Sequence, residues 1–544
     1  MIRFYTTIMI CIFITGNSLA QPLDNAKQLI YHERFGSAAA ELHNFLKSEP
    51  GNTSAWYLLA RAYMGDGKTG RLKDTLQLAP EAVKEQPLIK SLFGHILFQA
   101  ADSTAAKSLF EQALKETKMK DPEVLAEIAR AHITAKEGDA NYALELLQKA
   151  VKKNKDDPAL YVLTGDAYRK LIDGGKAYKA YQYALSKDNH YAEAEYKIGK
   201  IYTSQHNAAQ YLPAFEKAVA ADPQYAPALY ELYYHYYFTD LNRAGEYLDK
   251  YIAASDYSIK NDYLVTDMLY ASGKFREAIS MADALIEKEG PAVQPRLYKL
   301  EAYSHNELGD SLAAARFMNA YFSLQHDTGI IAKDYEAMGN IYASLTGKYD
   351  SAAYFLAKGA ALEKDSLIKS NYYKKIAGLY KKQKDYSNEA VWLGRYYSNH
   401  PSPSNVDLFN WGLASYLAKD YRTADTVFAM YEIKYPEEEF GPYWRARANA
   451  AIDTAMEKGI AVPHYLHLIA LIESDSMNST KKKHLIEAYG YIAAYKANAE
   501  KDYETAVNYF EKLLMLDPEN GDAKKYVEIL KKNMAKNGSL NNTK

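Results

Sequence analysis

Apolar and small residues recur at offsets of 3, 4 and 7 along most of the chain, as in Tyr161, Thr164, Gly165 and Tyr168, or Tyr373, Ile376, Ala377 and Tyr380. That spacing gathers them on one stripe of a helix, whereas a half-buried strand alternates every second residue. A second stripe follows each first one and opens on a Gly or Asp, an aromatic and a small residue. Examples are Gly273-Lys-Phe275-Arg-Glu-Ala278, Gly347-Lys-Tyr349-Asp-Ser-Ala352, Asp420-Tyr421-Arg-Thr-Ala424 and Asp502-Tyr503-Glu-Thr-Ala506. The small position falls at Ala106, Ala143, Ala177, Tyr211, Ala244, Ala278, Ala314, Ala352, Glu389 and Ala424, a step of about 35 residues. Tyr211 and Glu389 depart from the small-residue rule, and the stretches 64–86 and 440–480 hold the period poorly. Proline, often after Asp as in Asp121-Pro122, Asp157-Pro158, Asp222-Pro223 and Asp517-Pro518, stops the second helix, and the Asp can cap the next. The pattern predicts an all-α chain of about thirteen helix pairs over residues 21–520. No pair can cover its apolar face alone, so the pairs stack. The small residues mark where two helices cross closely and added volume would overpack the contact.

The unit resembles the tetratricopeptide repeat, whose pattern is W-x2-L-G-x2-Y followed by A-x3-F and a proline. Trp56, Leu59 and Tyr63 match its first helix in one unit, and Met338-Gly339 with Tyr342 match it in another. The resemblance implies antiparallel helix pairs stacked into a right-handed superhelical solenoid with a concave groove that binds a protein or peptide, and it implies no cofactor.

Composition narrows the function. Lys and Arg number 66 against 68 Asp and Glu, a net charge of −2, so no global field favours nucleic acid. With 17 prolines and 28 glycines the chain lacks the turn residues of a many-stranded β fold. Tyrosine stands out at 50 of 544 residues, and packing between helix pairs accounts for much of that excess.

No catalytic or metal motif emerges. Gly65-Asp-Gly67-Lys68-Thr69 lacks the first glycine of a phosphate loop and reads as an inter-helix turn. Ser366-Leu-Ile-Lys369 has a serine–lysine spacing without its companion motifs, and Ser366 reads as a helix cap. His464 and His467 share a helical face without a third ligand. By the tetratricopeptide resemblance, Lys374 and Asn410 match parts of a carboxylate clamp, but Gly378 stands where its first asparagine belongs. The chain therefore reads as a non-enzymatic scaffold. Two alternatives stay open: a glycan- or peptidoglycan-active enzyme built on a helical solenoid, and a structural subunit of a secretion or outer-membrane assembly machine.

Residues 1–20 read as a secretory signal peptide: Arg3, then the apolar Ile8–Ile14, then Ser18-Leu19-Ala20 as the cleavage site. Cys11 lies within the apolar run rather than at its end, which argues against lipid attachment there. Cleavage after Ala20 leaves no cysteine and no apolar run long enough to span a bilayer, so the expectation is a periplasmic protein, in or out of an envelope complex. Residues 521–544 read as a capping helix and a frayed tail.

One segment is a candidate binding surface. In Tyr230-Glu-Leu-Tyr233-Tyr234-His-Tyr236-Tyr237-Phe238, the positions Leu229, Leu232, Tyr233 and Tyr236 form the packing stripe. Tyr230, Tyr234, Tyr237 and Phe238 fall on the other side, which by the resemblance lines the groove, and Tyr196 holds the equivalent place one unit earlier. Those rings either hold an apolar or proline-containing peptide or pack against a neighbouring unit.

Overall fold

A computed structural model describes residues 20–475 and 478–541. Met1 to Leu19, which carry nearly all of the signal-peptide reading and Cys11, lie outside the described residues. Among the described residues the fold is all helical, without strands, as stacked helix pairs. The chain divides into two compact units, Met1–Met281 and Ala282–Lys544.

In the first unit the pairs run from Ala20–Tyr31 with Phe35–Ser48 to Ala226–Tyr237 with Leu241–Ala254. The irregular stretch 64–86 holds a shortened second helix, Thr69–Gln77, and a single turn, Glu81–Lys84. Gly65 ends the helix Thr53–Gly65, and Asp66 to Lys68 form the turn that the broken phosphate-loop pattern suggests. In the second unit the pairs run from Arg296–Glu307 with Ser311–Leu324 to Ser479–Tyr495 with Tyr503–Leu516. The helix Gly521–Asn541 packs on the last of these, and it continues past Met534, where the apolar residues thin out. In the stretch 440–480, Phe440–Ile452 and Val462–Ile472 are joined by a longer loop. Asp453 holds that loop by accepting from the backbone N–H groups of Glu457, Lys458 and Gly459 at 3.1, 3.0 and 2.8 Å.

Helix starts follow side-chain chemistry. Second helices open on an aspartate whose carboxylate accepts an orphan N–H three residues on: Asp102 from Ala105, Asp173 from Lys176, Asp310 from Ala313, Asp420 from Thr423. Asp121 and Asp157 cap first helices just before a proline. The cap of the helix Ser366–Gln383 is Asp365, which accepts from Leu367 and Ile368 N–H, so Ser366 is the first helical residue rather than the cap.

In many pairs the second helix presses one large side chain onto a small residue of its own first helix. A Cβ placed on Gly165 would lie 2.2 Å from the Tyr181 ring. Placed on Gly199 it would lie 2.4 Å from Phe215, on Gly94 2.5 Å from Phe110, and on Gly412 2.7 Å from Phe428. All four pairs have the same spacing of 16 residues. Where that first-helix position is alanine, the partner is aliphatic: Ala302 shares a core with Met318, and Ala377 with Leu393. The alanines of the second helix sit at the same crossing. Ala106, Ala143, Ala177, Ala244, Ala278, Ala314, Ala352, Ala424 and Ala506 are all at 0% exposure. At the two departures from that rule, Glu389 is buried and Tyr211 is half-buried with its hydroxyl 2.9 Å from His235 Nδ1.

These contacts set a testable contrast between two helical glycines. Gly165→Ala forces the Tyr181 ring aside and should destabilise the protein by about 1–3 kcal/mol. Gly378 sits in the helix Ser366–Gln383 with nothing within 4 Å of its would-be Cβ, so Gly378→Ala should stabilise by about 0.5–1 kcal/mol. Equilibrium denaturation of both variants checks the pair, and equal effects would contradict the packing scheme.

Candidate functional site

Two places in the first unit gather chemistry that packing alone does not require. The first is the aromatic side of the helix Ala226–Tyr237. Leu229, Leu232, Tyr233 and Tyr236 are buried against neighbouring helices. On the other side the rings touch in sequence. Tyr230 stacks on Tyr234 with centroids 6.4 Å apart, and Tyr234 meets Phe238 edge-on at 5.3 Å. Phe238, just past the helix end, then meets Tyr237 at 5.1 Å. Exposure is concentrated at Tyr234 and Phe238, at 55% and 68%. Tyr230 and Tyr237 are half-buried because the next two helices cover them. The Tyr230 ring lies 5.4 Å from that of Tyr251 and beneath Lys260 Nζ at 4.4 Å, while the Tyr237 hydroxyl donates to the Asp267 carbonyl at 3.4 Å. Tyr196 packs on Phe215 and Tyr225, with centroids 5.8 and 5.7 Å away, one helix pair earlier. The structure thus joins four of the five predicted rings and leaves two of them open to solvent.

The second place could not be read from local sequence. The turn that follows the helix Ala20–Tyr31 reaches across the unit to residues 191–256. The Tyr31 ring packs on Tyr191 and Tyr225 at 5.4 and 5.2 Å, and its hydroxyl accepts from the Glu193 N–H at 3.0 Å. His32, almost fully buried, lies 2.7 Å from Asp222. Asp256 accepts from the Ser37 N–H at 2.9 Å and hydroxyl at 2.5 Å, and pairs with Arg34 at 3.4 Å. Behind this turn lies a cavity of about 800 Å³, within the range of small-molecule sites.

The cavity wall is held by a buried carboxylate. Glu127, at 0% exposure, accepts from the Tyr57 hydroxyl at 2.7 Å, from Arg61 Nη1 at 3.2 Å and from His95 Nδ1 at 2.5 Å. Burial alone would raise its pKa, but His95, Arg61 and Arg130 outweigh that and hold the carboxyl well below its ordinary range. Arg130 Nε stands 3.5 Å from Glu127 Oε2, is buried, and has no hydrogen-bond partner. Across the cavity, burial pushes the Glu193 carboxyl up, with Lys197 as the main opposing influence. Lys197 itself pairs with Asp166 at 2.8 Å.

The other polar candidates are committed to structural partners. Lys374 donates to Asp407 at 3.0 Å and lies 4.7 Å from the Tyr396 ring centroid. His467 Nδ1 lies 2.5 Å from Glu432, and no metal-binding cluster of three ligands is found among the described residues. In the second unit Glu301 is a carboxyl of raised pKa, the property that a glycan-cleaving acid needs. It is at 0% exposure, however, so no substrate can touch it.

Glu301 instead makes a stability prediction. Burial, then the neighbouring Asp283 through its charge and a hydrogen bond, pushes its pKa from the ordinary 4.5 up to about 8. The folded protein keeps it protonated up to about pH 8, while the unfolded chain ionises it near 4.5, so stability falls as pH rises across that window. Glu301→Gln should remove the fall, and its melting temperature should gain on wild type from pH 5 to pH 8, by an amount on the order of a few kcal/mol in stability. A difference constant across pH would contradict the assignment.

The tetratricopeptide repeat family model matches residues 23–74, a segment that includes Trp56, Leu59 and Tyr63. Similar solved structures include the C-terminal part of a TPR repeat-containing protein from Cytophaga hutchinsonii, at 26% identity over 48% of this chain and 98% of that one, with a TM-score of 0.31. A tetratricopeptide repeat protein from Parabacteroides merdae is similar at 19% identity, over 46% and 96%, with a TM-score of 0.32. The APC/C hetero-tetramer Cut9–Hcn1 is similar at 14% identity, over 94% and 96%, with a TM-score of 0.25. No curated protein matches the chain.

Proposed function

We propose that this multi-repeat helical chain, which carries a tetratricopeptide repeat at residues 23–74, is a non-enzymatic scaffold of the bacterial cell envelope that captures a protein or peptide. Tetratricopeptide repeats in general serve protein–protein interaction rather than catalysis. The observation that carries the reading is the pair of exposed rings, Tyr234 and Phe238, set on a rigid helix end and backed by half-buried tyrosines. An aromatic ring brings large contact area with few rotors to immobilise, and solvent exposure of joined rings is a feature of contact surfaces. The envelope placement is supported by Arg3, Ile8–Ile14 and Ser18-Leu19-Ala20. No described helix is long and apolar enough to cross a membrane.

Photo-crosslinking separates a binding surface from ordinary exposure. A photoreactive phenylalanine analogue at position 234 or 238 should yield a discrete protein adduct in cells, and one at the equally exposed Tyr354 should not. The same adduct at all three positions, or at none, would overturn the assignment. Tyr234→Ser with Phe238→Ser should abolish the adduct formed from a reporter at Tyr230 while lowering stability by no more than about 1 kcal/mol. For the envelope, intact mass of the fractionated protein should place the first residue at Gln21, and a retained Met1 or a lipid on Cys11 would contradict it.

A further inference from the structure

We infer that the open cavity of the first unit, lined on one side by Tyr31, Glu33 and Phe35, binds a small amino-acid-type zwitterion, its carboxylate on Arg61 and Arg130 and its ammonium at Glu193. This site is separate from the exposed Tyr234–Phe238 surface and stands or falls independently of it.

Charge and preorganisation select the ligand class. The two guanidiniums line the cavity and are fixed from behind by Glu127, which is fully buried and already occupied by Tyr57, His95 and Arg61. Glu127 engages one nitrogen of Arg61, and the buried Arg130 Nε faces Glu127 at 3.5 Å, so both guanidiniums are held on their Glu127 side. A guanidinium carries five donors in a planar fork that matches a carboxylate, so both side chains retain donors for an incoming anion. A simple dianion does not suit the cavity, because acidic side chains outnumber basic ones along its lining. A simple cation is opposed by the arginines. A ligand carrying one charge of each sign satisfies both walls.

Glu193 is the complementary group. Its backbone N–H is used by the Tyr31 hydroxyl, and its carboxylate accepts from the Tyr191 hydroxyl at 3.3 Å. It lies near enough to both arginines to interact electrostatically with them, so the opposite charges face one another within one cavity. Burial disfavours its ionised form despite Lys197 nearby, and a ligand ammonium placed beside it would favour that form further. Tyr31, Tyr57 and Tyr191 also line the cavity and supply ring surface to it.

Calorimetric titration of the full mature protein with glycyl-tyrosine, its N-acetyl form and its C-terminal amide tests the assignment. The zwitterion should bind saturably, and blocking either end should weaken binding at least 10-fold. Arg130→Gln should abolish the preference for a free carboxylate, and Glu193→Gln the preference for a free amine, each in protein whose circular dichroism and melting temperature match wild type. Should either variant unfold, the three ligands measured on wild type decide alone. Equal binding of blocked and free forms, or no saturable binding of glycyl-tyrosine, overturns the inference.

Discussion

The contact on which much of this architecture depends is a large side chain of the second helix pressed onto a small residue of the first. Gly165 under Tyr181, Gly199 under Phe215 and Gly412 under Phe428 let two helices approach until ring and backbone touch. Aliphatic partners take the equivalent place over alanine, as at Ala302 with Met318. Interiors tolerate swaps that conserve volume and resist those that add it, so the sizes at the two positions are linked. With that distance fixed, the fully buried alanines of the second helix complete the crossing, and successive pairs stack.

Much of this was legible in the chain. The period came from Ala106 to Ala424, and helix pairing from stripes at offsets of 3, 4 and 7. The partner of each glycine was equally available, since Gly94 and Phe110, Gly165 and Tyr181, Gly199 and Phe215, and Gly412 and Phe428 share one spacing, but a search keyed to the following alanine passes over it. The recurrent Asp at second-helix starts was visible as part of the repeating phrase, and its capping role is a local property.

The candidate sites were less legible, for reasons of distance. Helical phase separates Tyr230, Tyr234 and Tyr237 from the buried Tyr233 and Tyr236, but it cannot tell which of them the next helices cover. The cavity is set by contacts such as Tyr31 with Tyr225 and His32 with Asp222, which join residues nearly 200 positions apart. Periodicity carries no record of such contacts. Asp222 shows the difference well: from sequence it caps the next helix before Pro223, whereas that helix starts at Ala226 behind Tyr225, and the Asp222 carboxylate instead accepts from the Gln224 N–H and anchors His32 beside the cavity. Glu127 and Glu301 lie on apolar first helices at 0% exposure, yet they are opposites. The first accepts hydrogen bonds from Tyr57, Arg61 and His95, whereas the second lies beside another acid, Asp283.

A double-mutant cycle on Gly165 and Tyr181 tests the central constraint most directly. Gly165→Ala and Tyr181→Leu each remove the fit between glycine and ring, while the double variant recreates the alanine–aliphatic pairing found at Ala377 and Leu393. Chemical denaturation should show the double variant more stable than the sum of the single effects allows, with a coupling of about 1 kcal/mol or more. Strictly additive effects would contradict a fold set by complementary sizes at this contact.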